Sequence, residues 1–148
     1  MKMRMGRIRL HVILDCSAYS LETFILHNIE PGSIIVTDSW RSYNFIDSDQ
    51  YVHEKTNQSS SKNNENLYGV HLVTSLIKRL IRGTYQGRFE PKYLQNYLDE
   101  YVFRFNRRNS KFIGKKFMRL VQQVVQSAKV TYREIKWDID PISEYYAT

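Results

Sequence analysis

Residues 6–14 alternate basic and apolar side chains through Arg7, Ile8, Arg9, Leu10, His11 and Val12, a period of two that predicts a strand with one wet face. Ser17 or Ser20 then stands where a helix N-cap belongs. Leu21, Phe24, Ile25 and Ile29 follow at helical spacing until Pro31 and Gly32 stop the helix. Residues 33–38, Ser-Ile-Ile-Val-Thr-Asp, read as a buried strand that delivers Asp38 to its C-terminal end. Strand, helix and strand with short connections predict a right-handed βαβ unit with parallel strands. Tyr51, Val52, His53 and Glu54 add another short strand, and residues 58–66 form a polar loop of Ser, Asn and Lys.

Beyond the loop the pattern turns helical and basic. Over residues 70–82, His71, Ser75, Lys78 and Arg82 fall at i, i+4, i+7 and i+11 and share one polar stripe. Val70, Val73, Ile77 and Leu80 lie opposite and are expected to face a core, with Gly83 as the C-cap. A second helix opens at Glu90-Pro91 and runs through Tyr93, Leu94, Tyr97, Leu98, Tyr101, Val102 and Phe105. A third covers residues 115–128 with an apolar stripe of Phe117, Leu120, Val121, Val124 and Val125. The expected class is α/β, a mixed sheet with packed helices and a helical C-terminal half.

Composition narrows the function. The chain has 148 residues, 42% of them hydrophobic and 14% aromatic, enough for one domain with a core. Its 22 Lys and Arg against 15 acids give a net charge of +7, which favours an anionic partner such as nucleic acid. Cys16 is the single cysteine, so an intramolecular disulfide and a cysteine zinc site are excluded; it reads as a small buried residue. No apolar run approaches the ~20 residues that span a bilayer, so a cytoplasmic protein without membrane association is expected.

An acid at a strand mouth, followed by a helix carrying a histidine and then a lysine seven positions on, points to phosphoryl transfer on a polynucleotide. Simpler readings stand beside it. Asp38 suits a turn after a strand, His71 a partly buried histidine with a hydrogen-bond partner, and Lys78, Arg79 and Arg82 a solvated helix face. Arg88 extends that basic surface. Arg104, Arg107 and Arg108 sit near a helix end, where they cap carbonyls or touch DNA. Asp15 reads first as a loop or capping acid ahead of Ser17.

Three stretches, GRIRLHVILD, IEPGSIIVTDSWRSYN and HLVTSLIKRLIRGTYQGRFEPKYLQNYLDEYVFRFNRR, carry a likeness. From residue 6 to residue 132 the chain resembles the catalytic domain of bacterial insertion-sequence transposases of the DDE type. The resemblance implies a ribonuclease-H-like fold, DNA cleavage and strand transfer, and divalent ions, Mg²⁺ or Mn²⁺. It aligns Asp38 with the second aspartate, His71 with the third metal ligand and Lys78 with the basic residue that helps hold DNA. An acid is usual at the position of His71, and imidazole is a poor magnesium ligand.

The first aspartate belongs on a strand that precedes residue 6 in the family. The resemblance therefore implies an N-terminally truncated catalytic domain over residues 1–135 and an irregular tail over 136–148. DNA is the expected partner, together with another copy of the chain or an intact transposase. Two readings follow: a transposase fragment that cuts and joins DNA, or an inactive DNA-binding remnant that associates with intact transposase as an inhibitor.

Overall fold

A computed structural model describes residues 5–46, 50–56, 67–88 and 90–137, so the whole polar loop of residues 58–66 and all but the first two residues of the expected tail lie outside the described residues. The chain divides into two compact units, Ile13–Phe89 and the pair of segments Met1–Val12 and Glu90–Thr148. The described elements are mixed α/β.

The unit Ile13–Phe89 opens with helix α1, Ala18–Asn28. Ser17 is its N-cap, its Oγ accepting from the Ser20 N–H at 3.3 Å. Asp15 supports the same turn, its Oδ1 accepting from the Ser17 N–H at 3.0 Å and the Ser20 hydroxyl at 2.8 Å. Those hydrogen bonds, Ser17's first, hold the Asp15 carboxyl below the usual carboxylate range. The capping reading of Asp15 is thus the one realised. Ser17→Ala should cost about 1 kcal/mol of unfolding free energy in a urea titration, the usual cost of an unmade cap. Cys16, in contrast to expectation, is exposed, because it sits in the turn that enters this cap.

Gly32 adopts φ 84° and donates to the Gln50 carbonyl at 2.7 Å, which sets up strand β1, Ile34–Asp38. Strand β2, Val52–Thr56, runs parallel to β1, with Ile34 opposite Val52 and Asp38 opposite Thr56. A 3₁₀ turn, Arg41–Ile46, lies on the connection between them. The expected βαβ unit is corrected here: residues 6–14 form no strand, and the parallel neighbour of β1 is the strand that follows it. Ile25, Ile35, Ile46 and Tyr51 form the core of this unit, with Phe24, Ile29, Tyr43 and Phe45 packed against it.

Helix α2 spans Tyr68–Arg79. Val73 is buried and Leu76, Ile77 and Leu80 are half-buried, an i, i+3, i+4, i+7 stripe. Val70, expected in the core, is 60% exposed in the first turn, where nothing among the described residues covers it. Gly83 is not the C-cap. The helix widens into a π-helical turn, Leu80–Thr84, with the Tyr85 N–H donating to the Leu80 carbonyl at 3.3 Å. The chain turns away only at Gln86 and Gly87, whose φ angles are 51° and 71°, and the Gly87 N–H closes on the Ile81 carbonyl at 2.9 Å.

In the other unit, Pro91–Tyr93 forms a 3₁₀ turn that leads into helix α3, Leu94–Asn106. The segment predicted as a strand is held here by side chains. Asn106 Oδ1 accepts from the Ile8 N–H at 2.8 Å while its Nδ2 donates to the Ile8 carbonyl at 2.9 Å. Gln95 plays the same part further along, accepting from the Val12 N–H at 2.9 Å and donating to the Leu10 carbonyl at 3.2 Å. Bonds at residues 8, 10 and 12 follow the two-residue repeat of an extended chain, so the alternating pattern is real but amide side chains serve where a strand was expected.

Helix α4, Ile113–Gln126, follows the predicted apolar stripe, yet Phe117 is 62% exposed and Val125 78% exposed. No described residue covers this stripe. A further helix, α5, spans Tyr132–Trp137 and takes in the first two residues of the expected tail, whose remainder lies outside the described residues. It starts at a capping box, the Thr131 N–H donating to Glu134 Oε2 at 2.6 Å and the Glu134 N–H to Thr131 Oγ1 at 3.3 Å. No helix among the described residues is long and apolar enough to cross a membrane.

Candidate nucleic-acid interface

Asp38 ends β1 half-buried, and its Oδ1 accepts from the Trp40 N–H at 3.3 Å. That is the local Asx-type turn an acid makes after a strand. Beside it the Thr37 hydroxyl donates to the Asp38 carbonyl at 2.8 Å and lies 2.7 Å from His53 Nε2 on β2. Burial pushes the Tyr43 hydroxyl above its usual pKa, and the negative charges of Asp38 and then Cys16 push it the same way. The strand mouth is thus an acid with a shielded tyrosine and a threonine–histidine pair around it. The His53 contact escaped the sequence because a lone histidine on a short strand gives no spacing signal.

His71, Ser75, Lys78 and Arg82 line the polar stripe, and the cations Arg79 and Arg88 are exposed as well. The Ser75 hydroxyl turns back to the His71 carbonyl at 2.8 Å, a bond within the helix. The π-helical turn adds a residue to the turn that carries Arg82, so Arg82 departs from the strict α-helical register of His71 and Lys78. Among the described residues, no hydrogen bond or ion pair joins Asp38 to His71 or to Lys78.

Asp38 and His71 are the residues that the family likeness assigns to metal. Among the described residues, however, no three His, Cys, Asp or Glu side chains converge. The donors among the described residues do not fit a two-metal centre, which requires several oxygen ligands around ions roughly 4 Å apart.

The arginines at the end of α3 divide by task. Arg108 donates to the carbonyls of Gly6 and Phe105, at 3.3 and 2.9 Å, and to that of Met5, and its guanidinium lies 4.1 Å over the Phe105 ring. These bonds tie residues 5 and 6 to the helix end. Arg104 pairs with Glu100 at 3.3 Å, an exposed i, i+4 contact of small energetic weight. Arg107 stacks 3.8 Å over Phe103 and donates to the Phe103 carbonyl at 3.2 Å, which fixes its direction.

No curated protein and no solved structure matched the chain. A family profile, the ISXO2-like transposase domain, matches residues 1–106, covering the strand mouth, the basic helix and α3. On that match the chain belongs to the ISXO2-like transposase domain family, insertion-sequence transposases of the DDE type.

Proposed function

We propose that this chain serves DNA transposition by holding the DNA backbone with Lys78, Arg79, Arg82 and Arg88. The observation that carries the reading is that these four cations gather on α2 and the turn after it, in a chain of net charge +7. Lys and Arg against phosphates release condensed counterions, and that term is independent of base sequence. Asp38 takes the part of the strand-end carboxylate in a ribonuclease-H-like fold, and His71 stands at the position of a helper to it. Mg²⁺ or Mn²⁺ is the ion class the family implies, and DNA cleavage and strand transfer are the corresponding reactions.

A second reading is favoured by the absence, among the described residues, of any bond between Asp38 and His71 and of a third convergent ligand. In it the chain binds DNA without cutting it and works beside an intact transposase. The deciding experiment incubates the purified chain and Asp38→Asn with supercoiled plasmid in Mg²⁺ or Mn²⁺. Metal-dependent nicking that disappears in Asp38→Asn assigns strand cleavage to this chain. Salt-sensitive binding with no nicking assigns the second reading, and absence of binding at low salt overturns both.

A further inference from the structure

A recess of about 340 Å³ opens in the unit that contains α3 and α4, lined by Arg7, Asn106, Arg107 and Arg119. Its cations come from three separate stretches of sequence: the N-terminal segment, the end of α3 and the second turn of α4. Among the described residues, neither Arg7, Arg107 nor Arg119 pairs with a carboxylate. Like charges brought to one recess with no carboxylate partner among the described residues repel one another, and an anion entering the recess relieves that repulsion.

The lining is also held in place. Asn106 is fixed by both of its bonds to Ile8, and Arg107 by its stack on Phe103. Arg119 is directed by its bond to Gln122 Oε1 at 3.3 Å. The C-terminal end of α3 lies here and contributes about half a negative charge, which three full guanidinium charges outweigh. Planar guanidinium forks match the paired oxygens of a phosphate better than any other common anion-binding side chain. A volume on the order of ten waters exceeds what a lone phosphate occupies and leaves room for the sugars on either side.

We propose that this recess is a second phosphate site, separate from the basic face of α2, that seats a backbone phosphate of the bound nucleic-acid strand. The identity of the strand rests on the transposase reading, whereas the phosphate chemistry rests on the recess alone. A nucleotide or free phosphate offers the same group, so the test separates these sources.

The experiment measures anisotropy of a labelled 30-base-pair duplex across a salt series for the wild-type chain, Arg7→Gln/Arg119→Gln and Arg119→Lys, with circular dichroism to show that each is folded. Freeing the one phosphate from the recess should lower the slope of log K against log salt by about 0.9, or about eightfold in affinity near 0.1 M. The double variant should therefore bind about eightfold more weakly, whereas Arg119→Lys should keep the wild-type slope because it keeps the charge, while its loss of the planar fork weakens binding. Unchanged affinity and slope in a folded double variant overturn the proposal.

Pyrophosphate is titrated in parallel, with the Nε–H signal of Arg107 and the side-chain amide signals of Asn106, all kept in the double variant, as the NMR readout. Shifts in these signals that saturate, and vanish in the double variant, support the site even if the wild-type chain fails to bind duplex, an outcome that sinks the transposase reading alone. Micromolar pyrophosphate binding together with duplex affinity unchanged in the double variant assigns the recess to a small phosphate ligand and overturns the strand as its occupant.

Discussion

Replacing Lys78, Arg79, Arg82 and Arg88 with glutamine should weaken binding to duplex DNA roughly 10³- to 10⁴-fold near 0.1 M salt, about eightfold for each phosphate released. The weakening should be the same for every DNA sequence, because these side chains are placed to meet phosphates and not base edges. The slope of log K against log salt should fall by about 3.6 in parallel. Glutamine keeps helix propensity close to that of lysine and arginine, and none of the four side chains is buried, so the fold should survive. A filter-binding or anisotropy series across salt concentrations reads both quantities. A slope that does not change would remove the α2 face from the interface and leave the family match without a DNA-contacting surface on this unit.

Ile46→Ala should lower unfolding free energy by about 2–5 kcal/mol, the usual range for truncating a fully buried aliphatic side chain. Ile46 has 0% exposure and packs in the cluster with Ile25, Ile35 and Tyr51. It closes the 3₁₀ turn that links β1 to β2, so the cavity would open beneath the strand that carries Asp38. Because domains are stable by only about 5–15 kcal/mol, such a decrease is a large share of the total. Ile46→Val, which keeps most of the volume, should cost about 0.5–1.5 kcal/mol. Urea titration with constant m separates the two, and equal midpoints for both variants would place the core elsewhere.

What the sequence revealed and what it hid follows from range. α1 was legible because its signals are local: Ser17 caps it, and Pro31 and Gly32 follow its end. Strand β1 was legible from its unbroken apolar run, and the 3₁₀ turn that leads into α3 from Pro91. Thr131 and Glu134 also carried a readable signal for α5, a capping box spanning adjacent turns of one short segment. Residues 6–14 show the limit of periodicity. Alternation reports that a chain is extended with one covered side, but whether the backbone partner is another strand or the amides of Gln95 and Asn106 depends on residues 83 to 98 positions away.

The candidate site divides in the same way. The shared face of His71, Ser75 and Lys78 was determined by helical spacing alone, since polar side chains at i, i+4 and i+7 lie together and that face is solvated when the opposite one is apolar, whereas the π-helical turn takes Arg82 out of that register. The likeness to insertion-sequence transposases was likewise contained in residue order, and the match over residues 1–106 agrees with it. Tertiary structure alone decided the neighbours: that Asp38 turns to the Trp40 amide, and that Arg108 holds carbonyls while Arg107 meets Arg7 and Arg119 at one recess. Spacing along a chain fixes which way a side chain points from its own element. Which group it meets is fixed only when distant elements pack, because hydrogen bonds and charge contacts act over a few ångströms and carry no record in local sequence.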